Sequence, residues 1–225
     1  MSIKIENAEI FGWESAIRGM RNPLESWSKS DSRREFIEDS GTINPNDEVK
    51  WVLGENDLKL MKSLSKSGSD HAKFLRMINV VCDITAPLYW WKEFDTYKVG
   101  TVANSCSTMH KIADKEFTLE DFSHDHLLGK AVQYNGYVPT SVLKCTIGAL
   151  NEFRKLYLES KNKVFWWQMI QLLPASFDQK RTIQLNYQVL KSMYFARKDH
   201  KLDEWRMLCR WIEALPYFKE IILEG

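Results

Sequence analysis

LLPASFDQKRTIQLNYQVLKSMYFARKDH, residues 172–200, decides how the chain is read. Leu172-Leu173-Pro174 closes an apolar run. Asn186, Arg197 and His200 then follow along a segment whose spacing reads as a helix from Thr182 to Arg197. Arg197 and His200 are three apart, so on a helix or its last turn they face the same way. An amide, a guanidinium and an imidazole so arranged form a donor cluster suited to a phosphate or to the acidic imide of a nucleotide base. A solvated, charged helix end has the same composition, and the cluster alone leaves both readings open.

The segments on either side set the fold class. Downstream, Leu202 to Leu215 reads as a final helix and Tyr217 to Leu223 as a tail. Upstream, Phe165 to Leu173 is helical, and residues 142–160 place Val142, Leu143, Ile147, Leu150, Phe153, Leu156 and Tyr157 at helical spacing. Gly100 to Thr108 is rich in small polar residues and reads as a loop. Pro87 suits the first turn of a helix through Leu88–Asp95. Lys73 to Ile84 reads as a strand centred on Val80 and Val81. Glu55-Asn56-Asp57 caps a helix at 57–66 that stops at Gly68. Residues 26–50 are polar, contain Pro45, and predict a loop excursion. Trp13 to Met20 is a short helix ended near Asn22-Pro23. Residues 3–11 alternate as a strand does. Strands come early and helices late, which predicts an α+β protein. With no linker, repeat or low-complexity segment, residues 1–225 read as one domain.

Composition excludes several classes. Apolar residues at 44% and charged residues at 27% are those of a globular protein able to bury a core. A net charge of +1 argues against a nucleic-acid coat or an acidic-membrane binder, which need a large basic surplus. No run approaches the length of a membrane span, and the start MSIKIENAEIFGW lacks the apolar core of a signal peptide. The expected setting is the cytoplasm, with Cys82, Cys106, Cys145 and Cys209 reduced and unpaired.

Individual motifs say little. There is no GxGxxG, GxxxxGKS/T or GxSxG, so nothing points to a dinucleotide fold, a P-loop or a hydrolase elbow. His124-x-His126 is more often a solvated loop pair than a metal site, and no metal is expected. Cys106, between Ser105 and Ser107, reads as inert unless its pKa is lowered. The Trp90-Trp91 and Trp166-Trp167 pairs read as core before they read as stacking platforms.

Taken together, ordered anchors from about Trp13 to Leu215 resemble the flavin-dependent thymidylate synthase family. Ala16-Ile-Arg-Gly-Met-Arg21 is similar to the end of the family's first helix, Ala-Ala-Arg. Leu58–Gly68 with His71 is similar to its Leu…Leu…His-Gly-His segment. Ala86-Pro-Leu-Tyr-Trp-Trp-Lys-Glu-Phe94 stands where the family has Ala-Pro-Ile-Phe-Val-Ala-Arg-Gln-Trp. Leu172-Leu-Pro174 matches its Leu-Pro. Asn186, Arg197 and His200 fall at its asparagine, nucleotide-binding arginine and following histidine, and Glu204-Trp205-Arg206 resembles Gln-Trp-Glu.

The signature Arg-His-Arg-x-x-Ser-x-Asn-Glu-x-Ser-x-Arg-Tyr is degraded. Counted without gaps, Arg-His-Arg becomes Thr96-Tyr97-Lys98, and the later Ser and Arg become Cys106 and Thr108. With one inserted residue, Asn104 and Ser107 match the Asn and second Ser, and Met109-His110 replaces Arg-Tyr. A further family arginine is Ile170 here. Each lost guanidinium–phosphate contact removes about 1.5–3 kcal/mol unless Lys92, Lys98 or Lys111 substitutes. Lysine restores the charge and not the fork.

The resemblance implies a small, mainly antiparallel sheet with flanking helices and a helical C-terminal half. It implies reductive methylation of dUMP to dTMP with FAD, methylenetetrahydrofolate and NADPH, by a homotetramer whose active sites are shared between chains. Arg197 would hold and polarise the pyrimidine as the catalytic group. His71, Asn186, His200 and Lys98 would bind cofactor, and Ser107 and Asn104 would join Arg197 at the substrate. The degraded signature motivates a second expectation, a flavin- or nucleotide-binding relative with altered or lost catalysis. The aromatic content motivates a third, a non-catalytic interaction protein.

Overall fold

The structure, a computed structural model, describes residues 3–36, 49–129 and 136–224. In chain order the elements are β1 (Lys4–Phe11), α1 (Trp13–Arg21), β2 (Arg33–Phe36), β3 (Val49–Val52), α2 (Glu55–Lys66), β4 (Asn79–Pro87), α3 (Leu88–Phe94), β5 (Val102–Ser105), α4 (Thr108–Lys111), α5 (Pro139–Ser160), α6 (Lys163–Leu172), β6 (Asp178–Asn186), α7 (Tyr187–Arg197) and α8 (Asp203–Glu213). The class is mixed α and β with a small antiparallel sheet. Two compact units are distinguished. One comprises Met1–Ala8, Cys82–Lys98 and Val102–Ile183, the other Glu9–Val81, Val99–Thr101 and Gln184–Gly225. Among the described residues no helix is long and apolar enough to cross a membrane.

In the first unit the strands lie in the order β1-β4-β6-β5. α3 follows β4 directly because Pro87, extended at φ −68°, needs no amide partner at the helix start. The next two amides are met from afar. Leu88 N–H donates to the Phe177 carbonyl and Tyr89 N–H to the Ala175 carbonyl, both at 3.0 Å. The residues after Pro174 thereby close the helix that Ala86-Pro87 opens. Trp90 and Trp91 are fully buried on α3, each within about 5 Å of Phe94 by ring centroid, so the tryptophan pair is core. A second apolar cluster joins Leu143, Ile147 and Leu150 of α5 to Met169 of α6 and to Ile112, Phe117 and Phe122. Asn151 fixes the 117 segment to α5 by accepting from Phe117 N–H and donating to its carbonyl, both at 2.9 Å.

In the second unit α1 buries Trp13, Ala16, Ile17 and Met20, the one-sided spacing of an amphipathic helix. Its entry depends on Gly12, at φ +94°, where a Cβ would come within 2.0 Å of the Met77 carbonyl oxygen. Its last residue, Arg21, is buried with Asp57 of α2, Nε to Oδ1 at 2.7 Å. The remaining guanidinium donors reach the Ser26 and Lys29 carbonyls at 3.1 and 3.0 Å. The second carboxylate oxygen accepts from the hydroxyls of Ser30 and Ser32 and the amides of Asp31 and Ser32. A buried ion pair is tolerated when both partners are saturated in this way.

Several expectations are corrected. The strand expected over Lys73–Ile84 begins only at Asn79, after a 3-10 turn at Ala72–Arg76. Phe74 and Leu75 are consecutive and both buried, which a helical turn allows and a half-buried strand does not. The loop expected at Gly100–Thr108 holds edge strand β5, whose residues are all exposed and show no alternation for a sequence reading to find. The helix expected from Thr182 is strand until Asn186. The tail holds a π-helical turn at Lys219–Leu223, with Ile221 and Ile222 buried. Within the 26–50 excursion, β2 pairs antiparallel with β3, Arg33 opposite Val52, and residues 37–48 lie outside the described part.

Burial alone would raise the Asp57 pKa. The hydrogen bonds from Ser32, Arg21, Ser30 and the Asp31 backbone outweigh it and hold the carboxyl below its ordinary 3.8. A folded-state pKa below the unfolded one contributes stability that is present above about 3.8 and lost as pH falls through the lower folded value. Arg21→Met, which strands a buried carboxylate, should cost about 3–5 kcal/mol in denaturant unfolding. Asp57→Asn should show a shallower loss of stability on acidification than the wild type. Equal acid limbs would show that this carboxylate does not set the acid response.

Candidate functional site

β6 presents alternate side chains to two faces. Gln179 and Arg181 lie on one. Gln179 Nε2 donates to the Cys106 carbonyl at 3.0 Å and approaches Thr108 Oγ1 at 3.1 Å. The Arg181 guanidinium lies over the Trp91 ring at 4.3 Å and bonds Asp95 at 2.7 Å. Lys180 and Thr182 lie on the other, both on Asp83 of β4, at 3.0 and 2.6 Å. The Thr182 hydroxyl, the Asn7 amide and Lys180 together hold the Asp83 carboxyl down at about 2. In return Asp83 raises the Lys180 pKa, so the ammonium stays charged.

β5 joins β6 through Cys106 N–H to the Lys180 carbonyl, 3.0 Å. Beside this junction is a cavity of about 400 Å³ whose wall carries Ser107, Thr108 and the cations Lys111, Lys115 and Lys180 together with the carboxylates Glu116, Asp121 and Asp178. Ser107 caps the short helix α4, its Oγ accepting from His110 N–H at 3.3 Å. Its hydroxyl proton remains able to donate. Lys111 and Lys115 are paired with Asp114 and Asp121 at 2.7 and 2.6 Å. An incoming anion would therefore compete with surface pairs of low individual strength. The sequence-predicted Ser107 lines this cavity. Asn104, on β5, and Lys98, after α3, belong to the same unit and are exposed. Lys180 and Gln179 were missed because 178–186 was not read as a strand. The alternation of apolar Ile183 and Leu185 with polar Thr182, Gln184 and Asn186 is the signal that could have found them.

The remaining predicted residues are in the second unit. Asn186 is the N-cap of α7, its Oδ1 accepting from Val189 N–H at 3.1 Å. Its Nδ2 lies 3.3 Å from where a Cβ on Gly100 would stand. Arg197 ends α7 with its guanidinium over the Trp205 ring at 4.7 Å. The His200 ring meets the same indole edge-on at 6.3 Å. Its amide donates to the Arg197 carbonyl at 3.0 Å, and its Nδ1 accepts from Leu202 N–H at 3.2 Å, which assigns the remaining proton to Nε2. Arg206 fastens this turn by donating to the His200 carbonyl at 2.6 Å. Arg197 and His200 are thus brought together around Trp205, as their spacing predicts. His71 is exposed and precedes the 3-10 turn Ala72–Arg76, against which α7 packs.

One acceptor on α7 is left over. The buried Gln188 Oε1 meets no donor among the described residues, a deficit of about 1–3 kcal/mol until a donor arrives. A ring imide N–H, as on an isoalloxazine or a uracil, is a donor of the required kind.

No protein-family model matches the sequence, and no curated protein is similar to it. Solved structures are similar throughout. Thymidylate Synthase X (ThyX) from Helicobacter pylori, solved with FAD and dUMP, superposes with a TM-score of 0.65 at 16% identity, over 100% of this chain and 97% of that one. A second structure of the flavin-dependent thymidylate synthase ThyX from that organism, complexed with FAD and dUMP, gives 0.62 at 15%, over 100% and 98%. The UMP/dUMP methylase PolB from Streptomyces cacaoi, bound with 5-Br dUMP, gives 0.62 at 14%, over 99% and 92%. The chain has the fold of these flavin-dependent thymidylate synthases.

The thiols separate by environment. Burial pushes Cys82 up to about 12 and Cys209 up to about 11, whereas Cys106 and Cys145 are exposed. Ellman's reagent should titrate two thiols per native chain, and all four only after unfolding. Rapid reaction of a third in the native protein would contradict the placement of Cys82 or Cys209.

Proposed function

We propose that the chain is a divergent flavin-dependent pyrimidine-nucleotide methylase, acting as one functional domain over residues 1–225, that converts dUMP to dTMP in the cytoplasm. The observation that carries this reading is the cavity where Ser107 and Thr108 meet Lys180 and Lys111, in a chain whose structural neighbours were solved with FAD and dUMP or with 5-Br dUMP.

The nucleotide phosphate is assigned to this cavity. Ser107 donates its hydroxyl proton to a phosphate oxygen, and Lys111 and Lys180 supply charge in place of the family's guanidinia. Asn104 and Lys98 extend the same polar face toward substrate and cofactor. Arg197 is the catalytic group. Its guanidinium, over the Trp205 ring at 4.7 Å, would donate to a pyrimidine carbonyl and draw electron density from the ring. His200, held as the Nε2–H form, and His71 and Asn186 bind FAD or its surroundings. Gln188 fits a ring imide and belongs with them. FAD would carry the electrons, NADPH would replenish them, and methylenetetrahydrofolate would deliver the carbon. A homotetramer with shared sites is part of this reading.

A second reading, nucleotide or flavin binding without turnover, is favoured by one observation: Lys111, Lys115 and Lys180 are each already paired with a carboxylate. The two readings separate experimentally. Both expect a yellow protein with about one FAD per chain, and a colourless protein that takes up no added FAD sinks both. Rescue of a thymidine-requiring host is expected only of the methylase. Arg197→Ala should weaken dUMP binding at least roughly tenfold, the loss of one charge-assisted contact of about 1.5–3 kcal/mol. Unchanged affinity would remove Arg197 from the site.

A further inference from the structure

A second cavity of the first unit, about 580 Å³, is not used by that reading. One wall is α4 and the turn after it, with His110 and Asp114. The other is the end of α5 and the start of α6, with Tyr157, Lys161, Lys163 and Trp166. Its volume is that of a small-molecule site.

The walls are fixed without a ligand. Trp166 Nε1 donates to the Met109 carbonyl at 3.2 Å, tying α6 to α4. Arg154 Nε donates to the Ala113 carbonyl at 2.9 Å, tying the turn to α5. α5 stops at Lys161, whose left-handed backbone (φ 55°) sends its N–H back to the Tyr157 carbonyl at 2.8 Å. Asn162 then caps α6, its side chain accepting from Val164 N–H at 3.0 Å. This two-residue reversal sets Lys161 and Lys163 on one cavity.

The charges differ in kind from those of the first cavity. Among the described residues neither Lys161 nor Lys163 has a carboxylate within 4.0 Å, and each lies instead over aromatic rings. Lys161 Nζ is 5.8 Å from the Tyr157 centroid, and Lys163 Nζ is 5.9 Å from both Trp166 and Trp167. The one carboxylate on the wall, Asp114, is occupied by Lys111 at 2.7 Å. Two ammonium groups without a carboxylate partner leave an anion unmatched, and the half-buried Tyr157 and Trp166 supply an aromatic wall beside them.

We propose that this cavity binds a small aromatic anion, a planar ring bearing a phosphate or a carboxylate, with the ring on Trp166 and Tyr157 and the anion between Lys161 and Lys163. The site is independent of the methylase reading.

The test is calorimetric titration of the full chain, with tryptophan fluorescence followed in parallel. Phenyl phosphate and isophthalate represent the two anion sources. Inorganic phosphate and benzyl alcohol carry the charge and the ring separately. At least one aryl anion is expected to bind once per chain, at least roughly tenfold tighter than either control, and to weaken with salt. Lys161→Gln with Lys163→Gln, exposed positions whose replacement leaves the walls intact, should weaken binding about tenfold or more, while Lys180→Gln leaves it unchanged. No saturable binding by either aryl anion overturns the proposal. So does inorganic phosphate binding as tightly as phenyl phosphate, or a loss on Lys180→Gln equal to that of the double variant. Because Lys180 serves only the methylase reading, failure here and failure there give different patterns.

Discussion

Two amide groups at the start of α3 hold the first unit together. A helix leaves its first amides without internal partners, and burying them unmet is costly. Pro87 removes one, and the carbonyls of Phe177 and Ala175 take the next two. The segment after Leu173-Pro174 is therefore bound to the segment after Ala86, far away in the chain. Once that contact is made, β6 is fixed beside β4, and its side chains are dealt alternately to Trp91 and to Asp83. The cavity beside Cys106 follows, because Lys180 and Gln179 are carried by the same strand that closes α3.

The second unit solves a different problem, that of placing a guanidinium and a carboxylate out of water. Arg21 and Asp57 succeed because each is fully used. Arginine bonds the carboxylate and two loop carbonyls, and the carboxylate is wrapped by two serines and two amides. Removing either partner leaves the other desolvated and alone, which costs more than the pair contributes. The network also orders residues 26–32 against α1 and α2, so a polar stretch of poor secondary-structure propensity acquires a fixed path.

The basic groups near the proposed sites fall into three settings. Arg197 and Arg181 place their guanidinium groups over tryptophan rings. Lys111, Lys115 and Lys180 are paired with carboxylates, which keeps them charged and lowers their pull on an incoming anion. Lys161 and Lys163 sit over rings without such partners among the described residues. Under the proposed function, ammonium groups in place of guanidinia keep attraction for a phosphate and give up bidentate geometry.

The sequence by itself determined helices over Trp13–Met20, 57–66, 142–160 and Leu202–Leu215, which the structure bounds at Trp13–Arg21, Glu55–Lys66, Pro139–Ser160 and Asp203–Glu213, and the proline-opened helix after Pro87. Their burial pattern is written in local periodicity. It also paired Arg197 with His200, since three residues separate them on consecutive turns. It did not show that Asn186 ends a strand and caps a helix, that Val102–Ser105 is a strand, or that Lys180 and Ser107 line one cavity. Those facts depend on partners distant in the chain. An exposed edge strand carries no apolar alternation, and the short alternation of β6 runs straight into the helical spacing of α7. Tertiary structure alone decided that Lys180 meets Asp83, because that ion pair is set by distance in space and not by order along the chain.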